Sequence, residues 1–134
     1  MKELFEIYLA AAMLLVSPSV YENVKVVTSD DPYYYSTMER LNRRPSKDSL
    51  GEALCGKGSK GRFCLVVINS CLLEGKTNLH KELLERTIFH EFAHAEDYIL
   101  SGKSHGHKKE WRNIMKGWDV KPVKRENKLP KTCK

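Results

Sequence analysis

The sequence has no hydrophobic run long enough to cross a membrane. Its longest uninterrupted apolar stretch, Tyr8–Val16, covers nine residues, against the ~18 that a membrane-spanning helix needs. We therefore expect no membrane partner. With 134 residues, 30% of them charged, the chain is long enough for one globular domain and too short for two full-sized ones.

The start of the chain also lacks the positive charge of a secretory leader. Glu3 and Glu6 outweigh the one lysine there, whereas a signal peptide begins with a positive segment. The apolar stretch Tyr8–Val16 and the Ser17-Pro18-Ser19 sequence that follows it keep a signal peptide open as the alternative. We predict instead a packed helix over about residues 2–16, because apolar side chains recur there at helical spacing.

Cysteine is scarce, and no C-x-x-C pair is present. Cys55, Cys64, Cys71 and Cys133 are irregularly spaced, which argues against a zinc ribbon and against a dense disulfide framework. We expect free thiols in a reducing compartment, and therefore a cytoplasmic or DNA-associated intracellular protein. A Cys55–Cys71 or a Cys64–Cys71 bridge stays open as the alternative.

A complete phosphate-binding loop is missing as well. Gly51–Lys57 matches the spacing G-x-x-x-x-G-K, but Gly58 stands where a P-loop carries the Ser or Thr that holds magnesium. A P-loop also follows a strand and opens a helix, whereas this stretch precedes the strongest strand pattern of the chain. We predict a flexible hairpin or strand-entry loop here, and no nucleotide site.

The patterns that are present predict a mixed α+β domain. β-Branched and apolar runs favour strands, and apolar residues at a period of 3.6 favour helices. Gly102 is placed to end the longest helix. The predicted elements, in chain order, are helix 2–16, strand Val24–Thr28, loop 51–61, strand Phe63–Asn69, helix Leu79–Leu100 and helix 108–116.

The net charge of +6 is concentrated at the end of the chain. Residues 121–134 contain six cations and one anion, so this segment alone carries +5 and residues 1–120 carry +1. We therefore divide the chain into a domain at 1–120 and a basic tail at 121–134. Lysines and arginines without an apolar pattern are typical of nucleic-acid-binding arms, and equally of solvated termini. The candidates for DNA contact are Lys121, Lys124, Arg125, Lys128 and Lys131.

One motif carries recognisable chemistry: His90-Glu91-Phe92-Ala93-His94 is H-E-x-x-H inside the long predicted helix. Residues i and i+4 of a helix project from one face, so His90 and His94 can bind a single metal ion. Imidazole is a good zinc ligand, and Glu91 is placed to take a proton from zinc-bound water. The alternative, two histidines at the edge of the core without a metal, would bury polar groups at a cost.

A catalytic zinc site needs a third protein ligand. The metzincin pattern would require histidine at position 100, where the chain has Leu100. Farther along the chain, Glu110 and Glu126 have no supporting motif, whereas His105 and His107 follow the predicted helix end. The residues by themselves leave these two histidines open.

With these residues the sequence resembles the SprT-like metalloproteases, which include the Spartan proteases of DNA–protein crosslinks. Their signature is H-E-x-x-H on a helix, a loop, and a histidine that opens another helix with an aromatic residue four positions later. Trp111 is that aromatic residue, and His107 lies four positions before it. The resemblance therefore implies His107 as third ligand, with His105 as the alternative ligand or an oxyanion stabiliser. Lys108 departs from the glycine common after that histidine.

The resemblance implies a single zincin-like domain, a small sheet packed on helices with the motif on a central helix. It implies a zinc-dependent endopeptidase that cleaves DNA-associated or DNA-crosslinked proteins. Zn²⁺ would be held by His90, His94 and His107, with Glu91 as catalytic base for attack by zinc-bound water. The expected partners are a protein or peptide substrate and DNA, and the expected state is a monomer.

Two other classes of protein stay open. A peptide deformylase would combine H-E-x-x-H with an upstream cysteine such as Cys71, although its other motifs are missing from the chain. A non-proteolytic basic DNA- or protein-binding module with a zinc site is the second. A structural zinc site is usually closed by four ligands, so three ligands beside Glu91 favour the enzyme.

Overall fold

A three-stranded mixed sheet supports the domain in the computed structural model, which describes residues 2–46, 49–75, 77–119, 130 and 133. Its strands are β1 (Val24–Thr28), β2 (Gly51–Gly58) and β3 (Gly61–Ile68), in the order β1-β3-β2. β1 runs parallel to β3, and β2 pairs with β3 as an antiparallel hairpin. β3 is therefore the central strand, and β2 lies at an edge of this sheet.

One long helix packs against most of the other helices of the described residues. In chain order they are α1 (Lys2–Leu15), α2 (Pro18–Tyr21), α3 (Pro32–Arg40), α4 (Ser70–Glu74), α5 (Asn78–Ser101) and α6 (Lys109–Gly117). α5 packs on β2 and β3 and also contacts α1, α2, α4 and α6. Leu84, Ile88 and Phe92 on α5 are fully buried in the main core. The expected α+β class, with the histidine motif on a central helix, is confirmed.

Local chemistry explains where α5 begins and ends. The side-chain oxygen of Thr77 accepts a hydrogen bond from the backbone N–H of His80 and caps the first turn. At the other end Gly102 takes a left-handed conformation with φ of 80°, which glycine adopts without steric cost. Arg62 of β3 donates to the carbonyl oxygen of Ile99 at 2.9 Å, and so satisfies one of the last helix carbonyls.

Of the two predictions for residues 51–61, the loop is wrong and the hairpin is right, because most of that stretch is strand β2, which forms a hairpin with β3. Its glycines suggested a loop, but pairing with β3 from Gly51 to Gly58 determines the conformation. Gly51 has a packing reason to be glycine. A Cβ atom at Gly51 would lie 2.7 Å from Cγ2 of Thr87 and 3.2 Å from Cγ of Glu91, so its absence lets α5 approach the strand.

The expectation of free thiols is also wrong, and so are both alternative bridges. Cys55 bonds to Cys64, and Cys71 bonds to Cys133. Cys55 and Cys64 are direct partners across β2 and β3, with Cα atoms 4.1 Å apart. Their pairing follows from strand register, which the spacing of cysteines in the sequence does not reveal. Cys71 lies on α4, and its bond joins that helix to the end of the chain.

The structure bears on the expected absence of a membrane-spanning helix but not on the proposed DNA contacts. Within the described part of the chain, none of the helices combines the length and the apolar character that a membrane crossing requires. The five cations proposed for DNA contact, Lys121, Lys124, Arg125, Lys128 and Lys131, lie outside the described residues. The domain boundary at residue 120, the role of the tail and the monomeric state therefore stay predictions.

Candidate metal centre

The nitrogen atoms of three histidines converge on one face of α5. His90 and His94 lie one turn apart on α5, and their Nε2 atoms are 3.2 Å from each other. His107 reaches back from the segment between α5 and α6, and its Nε2 lies 3.0 Å from that of His90. The donor atoms of all three lie within 4.8 Å of one another. Three ring nitrogens facing one point form the donor set expected of a metal centre.

The protonation state of the two α5 histidines suits a metal ion. Burial lowers the pKa of His90 to about 3, helped by the neighbouring His94 and His107. Burial and His107 lower the pKa of His94 to about 4, against an opposing effect of Asp97. Both rings are therefore neutral at pH 7, the form in which imidazole binds zinc. The donor set and its protonation fit a zinc ion.

Glu91 lies beside these histidines in a buried position. Only 6% of its surface is exposed, and burial, followed by the charge of Glu52, raises its pKa to about 8. A cation bound nearby would lower this pKa again, because opposite charge favours the carboxylate. A bound metal ion would therefore bring the pKa of Glu91 from about 8 down toward neutral pH.

The site opens into a cleft of about 580 Å³ between α5 and β2. His90, Glu91 and His94 line it from the helix, and the consecutive residues Gly51–Cys55 line it from the strand. Successive side chains of a strand point to opposite faces. Consecutive lining residues therefore show that the cleft follows the backbone edge of β2.

Asp97 fixes the segment that carries His107. This aspartate is buried on α5, three residues after His94. One of its carboxylate oxygens accepts from the backbone N–H of His105 at 3.0 Å, and the other lies 2.7 Å from the ring Nδ1. The structure therefore places His105 against Asp97 and outside the group formed by His90, His94 and His107. Sequence reasoning missed Asp97, although an acidic residue among buried helix positions was a signal.

Trp111 on α6 covers the three histidines. Its ring stacks on His94 with centroids 5.3 Å apart and lies 4.7 Å from the rings of His90 and of His107. Its indole N–H donates to the backbone oxygen of His90 at 3.3 Å. Trp111, the fourth residue after His107, therefore restrains the orientation of the three histidine rings.

Glu52, which lines the cleft, is another residue, besides Asp97, that the sequence did not indicate. The hydroxyl of Tyr34, a buried residue of α3, donates a hydrogen bond to its carboxylate. Burial, together with this bond to Glu52, raises the pKa of Tyr34 to about 12. Glu52 was missed because residues 51–61 were predicted to be a loop, whereas strand β2 is what places Glu52 beside α5.

The cysteine of a deformylase-like centre is not near these histidines. Cys71 lies on α4 and is bonded to Cys133, and the described donor group around His90 contains only histidines. The arrangement therefore favours three imidazoles over two imidazoles and a thiolate.

We predict that His107, and not His105, is the third metal ligand. His107→Ala removes a donor atom, so zinc should be lost from the centre in protein kept under non-reducing conditions. His105→Ala removes only a ring bonded to Asp97, so the centre should keep its zinc with an affinity weakened by ~10–100-fold, as for other supporting residues. Metal analysis with a competing chelator measures both. Zinc loss in His105→Ala with retention in His107→Ala would contradict the assignment.

We also predict that, in chelator-treated protein, Glu91 and the two α5 histidines change the stability with pH in opposite directions. The pKa of Glu91 rises from 4.5 to about 8 on folding, so the folded state binds more protons between these values and stability falls as the pH rises. The pKa values of His90 and His94 fall from 6.5, so the unfolded chain binds more protons below that value and stability falls as the pH drops. Glu91→Gln should raise the unfolding temperature more above pH 8 than near pH 4.5.

The matched control for this measurement is Glu110→Gln, since Glu110 is exposed on α6. That variant should shift the unfolding temperature little, and by the same amount at both pH values. An equal shift at both values in Glu91→Gln would show that Glu91 titrates normally.

Comparison with known proteins gives one match. The model of the SprT-like family matches residues 26–133, which include all three histidines and Glu91. No match was found among the curated proteins or among the solved structures. SprT-like domains are generally metallopeptidase-like and zinc-related, and the expected resemblance is confirmed over most of the chain. On its sequence and its α+β fold, this chain belongs to the SprT-like family.

Proposed function

We propose that this protein is a zinc-dependent endopeptidase that acts on extended protein segments. The observation that carries the proposal is the placement of three converging imidazole nitrogens and a buried glutamate in one cleft. A structural zinc site is usually closed by four protein ligands. Three ligands at an open cleft leave room for a substrate, which favours the enzyme over the non-proteolytic module.

His90, His94 and His107 would hold the zinc ion. When bound there, zinc supplies Lewis acidity, which lowers the pKa of water and polarises a scissile carbonyl group. The low pKa values of His90 and His94 keep both rings unprotonated well below neutral pH. Trp111 packs on all three rings, so little conformational freedom is lost when they become ligands.

Glu91 would act as the general base and acid. Its burial removes competing water from the carboxylate, and its pKa is set by burial, by Glu52 and by the charge of a bound cation. A base whose pKa lies near the working pH transfers protons in both directions efficiently. Glu91 would take the proton of the attacking water and then donate it to the leaving amine.

Strand β2 would bind the substrate backbone. Among the described residues β2 pairs with β3 alone, so its outer edge keeps unpaired N–H and C=O groups. The cleft runs along this edge through Gly51–Cys55. An extended peptide can add to such an edge by main-chain hydrogen bonds, and would then lie next to His90 and Glu91. The proposed substrate is therefore an extended or unfolded segment.

Glu91→Gln should abolish cleavage and leave zinc bound. The amide keeps the size of the side chain but cannot accept a proton, and loss of a general base typically costs ~10²–10⁴-fold in rate. The assay follows cleavage of an unfolded protein such as casein by zinc-loaded enzyme, with the metal content measured on the same samples. Glu110→Gln is the matched control and should cleave at the rate of the wild type.

Two outcomes would reject the proposal. Undiminished cleavage by Glu91→Gln would remove Glu91 from the mechanism. Absence of cleavage by zinc-loaded wild type, on casein and on DNA-bound proteins alike, would favour the non-proteolytic module.

We further propose that the substrates are DNA-associated or DNA-crosslinked proteins. The support is the concentration of charge: residues 121–134 carry +5 of the net charge of +6. Such a segment attracts phosphate and releases counterions on binding. The two disulfides are more typical of oxidising compartments than of the cytosol, so this proposal depends on charge and not on an intracellular location.

Neutralising the tail should weaken the binding of single-stranded DNA and its dependence on salt. The variant replaces five cations by Gln and keeps Cys133; the five are Lys121, Lys124, Arg125, Lys128 and Lys131. The slope of log K against log salt is negative, and each lost phosphate contact should reduce its magnitude by about 0.7. Fluorescence anisotropy at several salt concentrations measures this slope. The control neutralises Lys57 and Lys60, which are exposed at the turn between β2 and β3, and should bind like the wild type. Unchanged binding by the tail variant would reject the DNA proposal.

A further inference from the structure

A second group of metal-binding side chains lies away from the histidine centre. It consists of Cys71 on α4, His80 in the first turn of α5, and Cys133 near the end of the chain. Their donor atoms lie within 4.8 Å of one another, and Nε2 of His80 is 3.8 Å from Sγ of Cys133. The two sulfur atoms form a disulfide, so the cluster combines a cysteine pair with an imidazole.

The ring of His80 is held in one orientation by its surroundings. It is buried with 4% of its surface exposed, and its Nδ1 is hydrogen-bonded to the hydroxyl of Thr77. With the ring proton on Nδ1, the hydroxyl oxygen accepts it and Nε2 keeps a lone pair. A metal-binding histidine is commonly fixed in this way by a bond to its other nitrogen.

Gly75 provides the space that this ring occupies. A Cβ atom at Gly75 would lie 1.9 Å from Cδ2 of His80, so any other residue there would displace the ring. Gly75 and the first turn of α5 thus leave room for an imidazole beside the two sulfur atoms. Nothing in the peptidase mechanism uses this arrangement.

We propose that Cys71, His80 and Cys133 form a second, redox-controlled zinc site. When the disulfide is reduced, two thiolates and an imidazole are available as three zinc ligands, which leaves the fourth position of a tetrahedral site to water. This soft donor set selects zinc among the common divalent ions. When the disulfide is closed, the sulfur atoms cannot bind the ion. The site is therefore distinct from the three-histidine centre and does not depend on the proposed peptidase activity.

The conversion between the disulfide and the zinc-bound dithiol balances in electrons and protons in both directions. A dithiol breaks the S–S bond by donating two electrons and becomes a disulfide itself, which leaves two thiols at Cys71 and Cys133. Each thiol releases one proton to solvent as the zinc ion binds. In the reverse direction, hydrogen peroxide takes two electrons from the two thiolates, consumes two protons and yields two water molecules, while the disulfide closes and zinc is released.

In both states Cys71 and Cys133 remain joined. The disulfide links residues separated by 62 positions in the sequence, and zinc would link those residues and His80. The end of the chain would thus be tied to α4 in oxidising and in reducing surroundings, and bound zinc would also tie it to the start of α5, the helix that continues to His90 and Glu91. Only the intermediate state, reduced and without metal, would release that connection.

Cobalt substitution and metal counting test the proposal on the full-length chain. Co²⁺ added to dithiol-reduced protein should give thiolate-to-cobalt charge-transfer absorption, and oxidised protein should give none, because the histidine centre contains no sulfur. Zinc content should be about two ions per chain when reduced and about one when oxidised. In the reduced protein, Cys133→Ser should lose the absorption, and His80→Ala should weaken cobalt binding by at least about tenfold.

Two control variants separate this site from the rest of the protein. Replacing both Cys55 and Cys64 by Ser removes the other cysteine pair and should leave the absorption unchanged. His90→Ala should also leave it unchanged while lowering the zinc content by about one ion. Retention of that ion in Cys133→Ser shows that the variant is folded.

Several results would overturn the proposal. No thiolate-to-cobalt absorption in reduced wild type would do so, as would absorption that survives in Cys133→Ser or that disappears with Cys55 and Cys64. If Cys133→Ser fails to fold, the comparison of reduced with oxidised protein, made on the variant without Cys55 and Cys64, decides the matter. Failure of the peptidase proposal would instead appear as absent cleavage with this absorption intact.

Discussion

The close packing of helix α5 on strand β2 is the contact on which the rest of the structure depends. It requires a residue without a side chain at Gly51, where a Cβ atom would lie 2.7 Å from Cγ2 of Thr87. The same approach places Glu91 against the strand, removes its carboxylate from water and raises its pKa. It also makes the strand edge the second side of the cleft. One glycine thus couples the helix that carries the histidines to the surface proposed to bind substrate.

The third histidine is positioned by a different set of forces. His107 lies 13 residues after His94 in the sequence, and closing such a loop costs conformational entropy. Gly102 turns the chain out of α5, Asp97 holds both the backbone and the ring of His105, and Trp111 packs on the rings. These contacts order the loop before any metal ion binds. The pair formed by buried Asp97 and partly exposed His105 therefore supports the site without contributing a ligand to it.

The sequence allowed the prediction of those features that depend on local patterns. Helix α5, strand β1, most of β3 and the H-E-x-x-H pair follow from periodicity and spacing, and His107 followed from resemblance to a family. The features that were missed depend on pairing between distant segments. Gly51–Gly58 is a strand only because it pairs with β3, and Cys55 meets Cys64 only through that register. Glu52 could not be placed in the cleft before the strand itself was known.

The Cys55–Cys64 bond has a consequence for molecular recognition. It joins directly opposed residues of β2 and β3, so the two strands cannot slip past each other by one position, a shift that would exchange the inward-facing and outward-facing side chains. The edge at Gly51–Cys55 therefore presents its donors and acceptors in a fixed order. A peptide that binds along β2 would therefore find the strand already ordered. No conformational entropy would be lost in ordering β2, so this cost would not weaken binding.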